Sequence, residues 1–212
     1  CIRDRLGSLE PRTVTEDFCR RAAALPNLCP HFHLSMQSGC DSVLARMNRK
    51  YDSARYYKSV KLLNEAYEAP GITTDLIVGF PGETEEEFQQ TLAFIRRCAF
   101  SAMHIFPYSR RPGTPADGMP GQILNSIKEE RAHRAQQTAL EMEAAYLDRW
   151  VGQTVPVLFE EERDGLWRGH TTRYSEVAAP SGEDLHNQLR QVYITGRAGN
   201  ILQGELCEGQ EK

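Results

Sequence analysis

The sequence lacks the closely spaced cysteines that bind metals in proteins. Its six cysteines are far apart, and no two of them form a C-x-x-C or C-x-x-x-C pair. Zinc and iron-sulfur sites are normally recognised by such spacings. We therefore expect no metal or cluster held by local cysteine ligands, and we interpret the cysteines as reduced, mostly buried side chains.

Long apolar runs and an excess of positive charge are also missing. No apolar stretch approaches the length of a membrane span, and the mean hydropathy is -0.53. No basic-then-apolar leader opens the sequence, so we expect a cytoplasmic protein without membrane contact. The formal net charge of -4 gives no overall attraction to nucleic acid. The basic side chains within residues 46–61 are interpreted as a solvated helix face.

The first two thirds of the chain alternate short apolar strands with amphipathic helices. Strands are predicted at about residues 2–7, 31–36, 72–79 and 102–107. Thr84 and Glu87 form the pattern of a capping box and predict the clearest helix start. This alternation is typical of a parallel α/β sheet.

Two earlier helix starts are predicted from capping residues. Thr15 is expected to cap a helix that buries Phe18, Ala22 and Leu25, and Asp41 is expected to cap a shorter one.

The last third of the chain differs in composition. A helix without internal glycine or proline is predicted from about Ile123 to Trp150, where it would join two units. Five short strands separated by turns follow it, and this spacing indicates a small antiparallel barrel. We predict two domains, residues 1–146 with α/β structure and residues 147–212 with all-β structure.

Polar or glycine-rich phrases follow each predicted strand of the first domain. They are Gly7–Pro11, Gln37–Asp41, Gly79–Glu83 and Tyr108–Pro115. Ligands of parallel α/β sheets bind at the carboxyl ends of the strands, so these phrases predict one ligand pocket. Alternatives stay open, because the second phrase also suits hydrogen bonding at a strand end and the third suits a tight turn before the Thr84 cap.

Titratable side chains give weaker signals. His31 and His33 share one face of a predicted strand, which suits either a metal pair or, more commonly, hydrogen-bonded core histidines. Glu10, Asp75 and Glu83 are candidate general acids or bases, but no pair has a spacing that demands this role. The nucleophile and base pattern of hydrolases is absent.

The strand-end phrases resemble a known family, the radical S-adenosylmethionine (radical SAM) methylthiotransferases. The residues that carry this resemblance are Arg5–Pro11, His33–Asp41 with Val43–Arg49, Thr74–Thr84 and Phe106–Pro115. The barrel, at about residues 147–208, resembles the family's RNA-binding TRAM domain. The resemblance implies the C-terminal half of a radical SAM partial (β/α) barrel, a bridging helix and a TRAM-like β-barrel.

The resemblance also implies a tRNA-modifying transferase. Met47–Tyr51 and Met103–Ser109 are most similar to the branch that adds a methylthio group to N6-threonylcarbamoyladenosine next to the anticodon. The branches acting on isopentenyladenosine or on a ribosomal protein are alternatives. So are two other classes, a non-catalytic RNA-binding module and an ordinary phosphate-binding barrel enzyme.

The family uses S-adenosyl-L-methionine, two 4Fe-4S clusters and an electron donor. No cysteine of this sequence corresponds to a cluster ligand, so the resemblance implies a C-terminal fragment that is inactive alone, with no catalytic or metal-binding residue of its own. The positions assigned to S-adenosyl-L-methionine are Ser8, Gln37 and Ser38 for its ribose or methionine portion, and Ile77, Val78, Gly79, Phe106 and Pro107 for its adenine. The positions assigned to tRNA phosphates are Arg110, Arg111, Arg168, Arg173 and Arg197.

Overall fold

A computed structural model describes residues 3–207 of the chain, and it begins with a three-stranded parallel sheet. The strands pair in the order β1-β2-β3 and are β1 (His31–His33), β2 (Gly71–Val78) and β3 (Ala102–Pro107). The helices are α1 (Glu16–Ala23), α2 (Asp41–Arg46), α3 (Ser53–Ala66), α4 (Glu85–Cys98) and α5 (Asn125–Asp148). The predicted alternation of strands and helices is confirmed. No helix within the described residues is long and apolar enough to cross a membrane.

A closed five-stranded barrel follows the sheet and its helices. Its strands are β4 (Thr154–Arg163), β5 (Leu166–Thr171), β6 (Glu176–Ala179), β7 (Leu189–Ala198) and β8 (Ile201–Leu206), in the order β4-β5-β6-β8-β7. All five strands were predicted. The expectation of a purely antiparallel barrel is wrong for one pair, because β6 and β8 run parallel, with Val177 opposite Leu202. The connection after β6 crosses the barrel to β7 instead of forming a hairpin, which leaves β8 to close the gap.

Capping side chains begin two of the helices as predicted. The Thr15 hydroxyl accepts a hydrogen bond from the Phe18 amide (3.1 Å), and both bonds of the Thr84 capping box are present. Asp41 is instead the first residue of α2, and its carboxylate accepts a hydrogen bond from the Ser53 amide (2.7 Å). Asp41 therefore joins α2 to the start of α3.

Two other predictions for the first 30 residues are wrong. The segment predicted as a strand at residues 2–7 makes only isolated parallel bridges near it, at Asp4 and Leu9; Ile2 lies outside the described residues. Leu25 is 59% exposed, because α1 ends at Ala23 and Leu25 lies beyond its buried face.

Two hydrophobic cores lie on either side of the bridging helix α5. The first lies between the sheet and its helices and includes Phe32, Leu76 and Phe88, all fully buried. The second fills the barrel and includes Tyr146 and Leu147 from the last turn of α5. Since α5 contributes to both cores, it fixes the barrel to the sheet. The domain boundary at residue 146 stays a prediction.

An ion pair between Arg46 of α2 and Glu87 of α4 gives the sheet unit a measurable pH dependence. Two Arg46 nitrogens donate to the Glu87 carboxylate, at 3.0 and 2.6 Å. These bonds, with further donors from Ser42 and the Thr84 amide, lower the pKa of Glu87 to about 2. Because the folded pKa lies below the unfolded value, the stabilisation is complete above about pH 4.5 and is lost as the pH falls towards 2.

We expect the Glu87→Gln variant to lose about 2 kcal/mol of unfolding free energy at pH 7 and much less at pH 3. Denaturant unfolding at several pH values measures this. Glu86→Gln is the matched control, since Glu86 is an exposed neighbour on the same turn. An equal loss from Glu87→Gln at both pH values would contradict the assignment.

Candidate functional site at the carboxyl edge of the sheet

The face of the sheet opposite the helix-packed core is covered by the barrel and the end of α5 at the amino ends of the strands and is open at their carboxyl ends. Side chains alternate along β2 and β3, so Leu76 and Val78 face the helices while Asp75 and Ile77 lie on the opposite face. Ile77 is in register with Phe106, which is 51% exposed. The open face therefore presents apolar surface at the carboxyl ends of the strands.

Histidines on the open face are engaged in hydrogen bonds. The Thr73 hydroxyl lies 3.1 Å from His33 Nδ1 and 3.3 Å from His31 Nε2, and His33 Nε2 lies 3.3 Å from Asp75 Oδ2. Burial lowers the pKa of His31 to about 4, so its ring is neutral at pH 7. Of the two alternatives for this pair, the hydrogen-bonded one applies. Among residues 3–207, no three histidine, cysteine, aspartate or glutamate side chains are grouped to hold a metal ion.

Gln37 lies in a bulge just beyond β1. The register runs from His33 opposite Thr73 to Gln37 opposite Leu76, so one extra residue lies on the first strand. Gln37 has a φ of 68°, and the Met36 amide donates to Thr74 Oγ1 (3.1 Å) instead of to the sheet. Bulges bend a strand and redirect its side chains. This one bends the chain at the predicted ligand edge.

The loop from Gly79 to Glu83 is held by buried charged groups. Glu83 is 4% exposed, and its Oε1 accepts hydrogen bonds from the Gly79 amide (2.9 Å) and from Arg131 (2.8 Å). The Lys128 side chain crosses Gly79, where a Cβ would overlap its Cγ. The phrase is therefore more than a turn before a helix cap. Glu83 holds the loop in place, because its carboxylate is buried and its hydrogen bonds go to Gly79 and Arg131.

The structure brings together most, but not all, of the residues assigned to S-adenosyl-L-methionine. Gln37, Ile77, Gly79, Phe106 and Pro107 lie at the carboxyl edge of the sheet. Ser8 is exposed on the segment beside β1, next to the bridge that Leu9 makes to Leu34.

Two of the assigned side chains point away from the open face. Ser38 is 1% exposed, and its hydroxyl accepts from the Cys40 amide (3.3 Å) and lies 3.4 Å from the Thr91 hydroxyl of α4. Val78 is fully buried in the first core. The structure thus gives both side chains a role in packing, and their assignment to the ligand stays a prediction.

The assigned arginines are in different surroundings. Arg110 and Arg111 are exposed in the loop after β3, where Arg110 pairs with Asp117 (2.8 Å). Arg168 lies 3.6 Å from Glu176, and Arg197 pairs with Asp148 (2.6 Å). These four stay predictions as RNA contacts.

Arg173 connects the barrel to the sheet unit. Its guanidinium donates to the carbonyl oxygens of Ala69 (3.0 Å) and Glu68 (2.9 Å), just before β2, and lies 4.3 Å from the centre of the Trp150 ring. Its donors are therefore engaged in docking the barrel beneath the amino edge of the sheet, and its role as an RNA contact stays a prediction.

Sequence reasoning missed Lys128 and Arg131, the two α5 side chains that hold the glycine loop. Both are at least nine-tenths buried, although α5 reads as a mainly solvated helix. No local pattern marks them, because their partners lie 48 residues away for Arg131 and 20 residues away for Lys128.

Comparison with known proteins first identifies the class of fold. The model of the Radical SAM superfamily matches residues 7–95. The solved structure of coproporphyrinogen III oxidase (HemN) from Escherichia coli, described as a radical SAM enzyme, superimposes with a TM-score of 0.52 and 18% identity, over 65% of this chain and 32% of that chain. The parallel sheet with its helices therefore has a radical SAM fold.

More similar relatives define the family within this class. The chain is 34% identical over 219 residues to the threonylcarbamoyladenosine tRNA methylthiotransferase MtaB of Bacillus subtilis, covering 97% of this chain and 49% of the relative. It is 40% identical over 218 residues to the tRNA-2-methylthio-N(6)-dimethylallyladenosine synthase of Oleidesulfovibrio alaskensis, covering 92% and 47%. The chain belongs to the radical SAM methylthiotransferase family, and it spans about half the length of these relatives.

Proposed function

We propose that this chain is part of a tRNA methylthiotransferase that adds a methylthio group to N6-threonylcarbamoyladenosine next to the anticodon. The observation that carries the proposal is the carboxyl edge of the sheet. There the family-like phrases place Gln37, Ile77, Gly79 and Phe106 around one open face. This is the edge at which parallel α/β sheets bind ligands.

The open face suits the adenine of S-adenosyl-L-methionine. Ile77 and Phe106 are adjacent in register and offer apolar contact, and Gly79 brings backbone without a side chain. Bound S-adenosyl-L-methionine supplies the radical and methyl chemistry of the reaction. The chain's own residues bind and orient it: Ile77 and Phe106 pack against the base, and the Glu83 carboxylate keeps the Gly79 loop in place.

The described residues do not fit an iron-sulfur cluster. Cys19, Cys29, Cys40 and Cys98 are buried separately, Cys207 is exposed on the barrel, and burial raises the pKa of Cys98 to about 12. A cluster needs several thiolates around one centre. In this proposal the cluster ligands belong to another part of the whole protein, and no step is assigned to a cluster here.

We further propose that the barrel, with its boundary near residue 147, is a TRAM-like RNA-binding domain. Its support is the closed five-stranded architecture, together with Arg168 and Arg197 on its surface. Both arginines pair with carboxylates, so RNA phosphates would have to replace Glu176 and Asp148 as partners.

A second candidate is the branch that modifies dimethylallyladenosine, the base that appears in the name of the Oleidesulfovibrio relative. The identities overlap, since MtaB of Thermotoga maritima is 42% identical over 158 residues and the Oleidesulfovibrio synthase 40% over 218 residues. The discriminating measurement is the set of tRNA nucleosides modified by the whole protein, identified by mass spectrometry. Methylthio-threonylcarbamoyladenosine supports the proposal, and methylthio-dimethylallyladenosine supports the second candidate.

The chain by itself is predicted to bind tRNA and to lack cluster chemistry. We expect its tRNA affinity to fall steeply between about 50 and 200 mM salt, because phosphate contacts release counterions. After anaerobic reconstitution with iron and sulfide we expect no cluster absorbance and no cleavage of S-adenosyl-L-methionine. Tight, salt-independent tRNA binding would contradict the arginine contacts, and a reconstituted cluster would contradict the ligand assignment.

A further inference from the structure

A cleft of about 450 Å³ lies beside the glycine loop, between the end of β3 and the first turns of α5. Tyr108, Ser109 and Arg110 line one wall, and Asn125 and Lys128 line the other. The cleft lies at the same carboxyl edge as the open face. Pro107, assigned above to S-adenosyl-L-methionine, also lines the cleft, whereas Lys128 and Asn125 were given no function by the sequence.

Lys128 carries a positive charge that no carboxylate neutralises. It is 8% exposed, and within residues 3–207 its ammonium group makes one hydrogen bond, to the carbonyl oxygen of Tyr108 (3.0 Å), and lies 5.8 Å from the Tyr108 ring. An ammonium group has three donors, and the protein groups of residues 3–207 accept from one of them. Burying a charge without an opposite charge beside it is unfavourable, which points to an anion that binds next to it.

The surroundings of Lys128 are suited to an anion. Helix α5 has 24 residues, begins at Asn125 without a side-chain cap, and lines the cleft with residues of its first turns, where a helix dipole favours an anion. Arg110 adds a guanidinium, although Asp117 pairs with it. The one carboxylate that lines the cleft, Glu129, is exposed.

We propose that this cleft binds a phosphate group of an RNA backbone, with Lys128 as the principal cation. The inference rests on the proposed tRNA function and adds a contact site within the sheet unit, distant from the barrel. A phosphate would accept hydrogen bonds from the Lys128 ammonium group and approach the first turn of α5. A nucleic acid held there would lie beside the predicted S-adenosyl-L-methionine site.

The test compares Lys128→Met with wild type, because methionine keeps the part of the side chain that crosses Gly79. With a tRNA anticodon stem-loop, we expect Lys128→Met to weaken binding about tenfold at low salt and to reduce the slope of log K against log salt by about 0.7–1. Lys61→Met, an exposed lysine of α3, is the control and should change neither value by a comparable amount. Glu129→Gln should strengthen binding.

A second arm separates RNA phosphate from free phosphate. Inorganic phosphate should raise the melting temperature of wild type relative to chloride of equal ionic strength, and Lys128→Met should remove this difference. If wild type and Lys128→Met bind the stem-loop equally, the inference is overturned while the proposed function stands. If, in that case, phosphate still raises the melting temperature of wild type only, the cleft binds free anions and not RNA. If wild type does not bind the stem-loop, both this inference and the predicted tRNA binding of the chain by itself fail, and the proposed function is judged by the nucleosides that the whole protein modifies.

Discussion

Replacing Arg131 by methionine will lower the free energy of unfolding by about 3–5 kcal/mol. Arg131 is 5% exposed and donates to both the side chain (2.8 Å) and the backbone carbonyl (3.1 Å) of Glu83. Without it, the Glu83 carboxylate stays buried with only the Gly79 amide as a donor. The main cost is this uncompensated charge, and denaturant unfolding followed by circular dichroism measures it.

Two further variants separate this effect from a general loss of helix stability. Arg134→Met removes neighbouring ion pairs of α5, with Glu85 (2.6 Å) and Glu130 (2.9 Å), whose carboxylates are about half exposed, and should cost about 1 kcal/mol or less. The double variant Glu83→Gln with Arg131→Met should recover part of the loss, because the buried charge is gone. Equal losses for Arg131→Met and Arg134→Met would show that the buried pair has no special role.

Replacing Gly79 by alanine will destabilise the chain by about 2–4 kcal/mol. Gly79 has a φ of +71°, where a Cβ costs about 1–2 kcal/mol. The new Cβ would also overlap Lys128 Cγ and force the side chain away, which adds about 1–2 kcal/mol of overpacking. Thermal and denaturant unfolding measure the sum.

Gly82→Ala is the matched control for Gly79→Ala. Gly82 has a similar φ of +75°, but a Cβ there would lie 3.8 Å from Arg46 Nε, which is an ordinary contact. We expect this variant to show the backbone cost alone, about 1–2 kcal/mol. If both variants lose the same stability, Lys128 is not packed against the loop as described.

Elements with strong local signals were predictable from the sequence. Thr84 and Glu87 define a helix start by local hydrogen bonds, and the β2 and β3 strands differ from prediction by at most one residue at each end. The bulge at Gln37 was not predictable, because it depends on a contact across the sheet. The Thr74 hydroxyl, and not a backbone carbonyl, accepts the hydrogen bond from the Met36 amide. The same holds for the parallel pairing of β6 with β8, which depends on the closure of the whole barrel.

The candidate site was predictable as a set of strand ends but not as a set of side chains. Position at a strand end placed Gln37, Ile77 and Phe106 at one edge, as the structure shows. It did not separate them from Ser38 and Val78, whose side chains turn to the helices. The direction of each side chain depends on pleat and bulge, and the engagement of Arg173 depends on a contact with Ala69, 104 residues away.

Helix α5 sets both the distance and the relative rotation between the sheet unit and the barrel. Its first turns hold the glycine loop through Lys128, and its last turn enters the barrel core through Tyr146 and Leu147. A straight helix of 24 residues is about 36 Å long, and each residue turns it by about 100°. One residue added to α5 would advance the barrel by only about 1.5 Å but present a different side of it to an RNA bound at the sheet. The residue count of this helix therefore determines which barrel strands face the same side of the chain as the cleft.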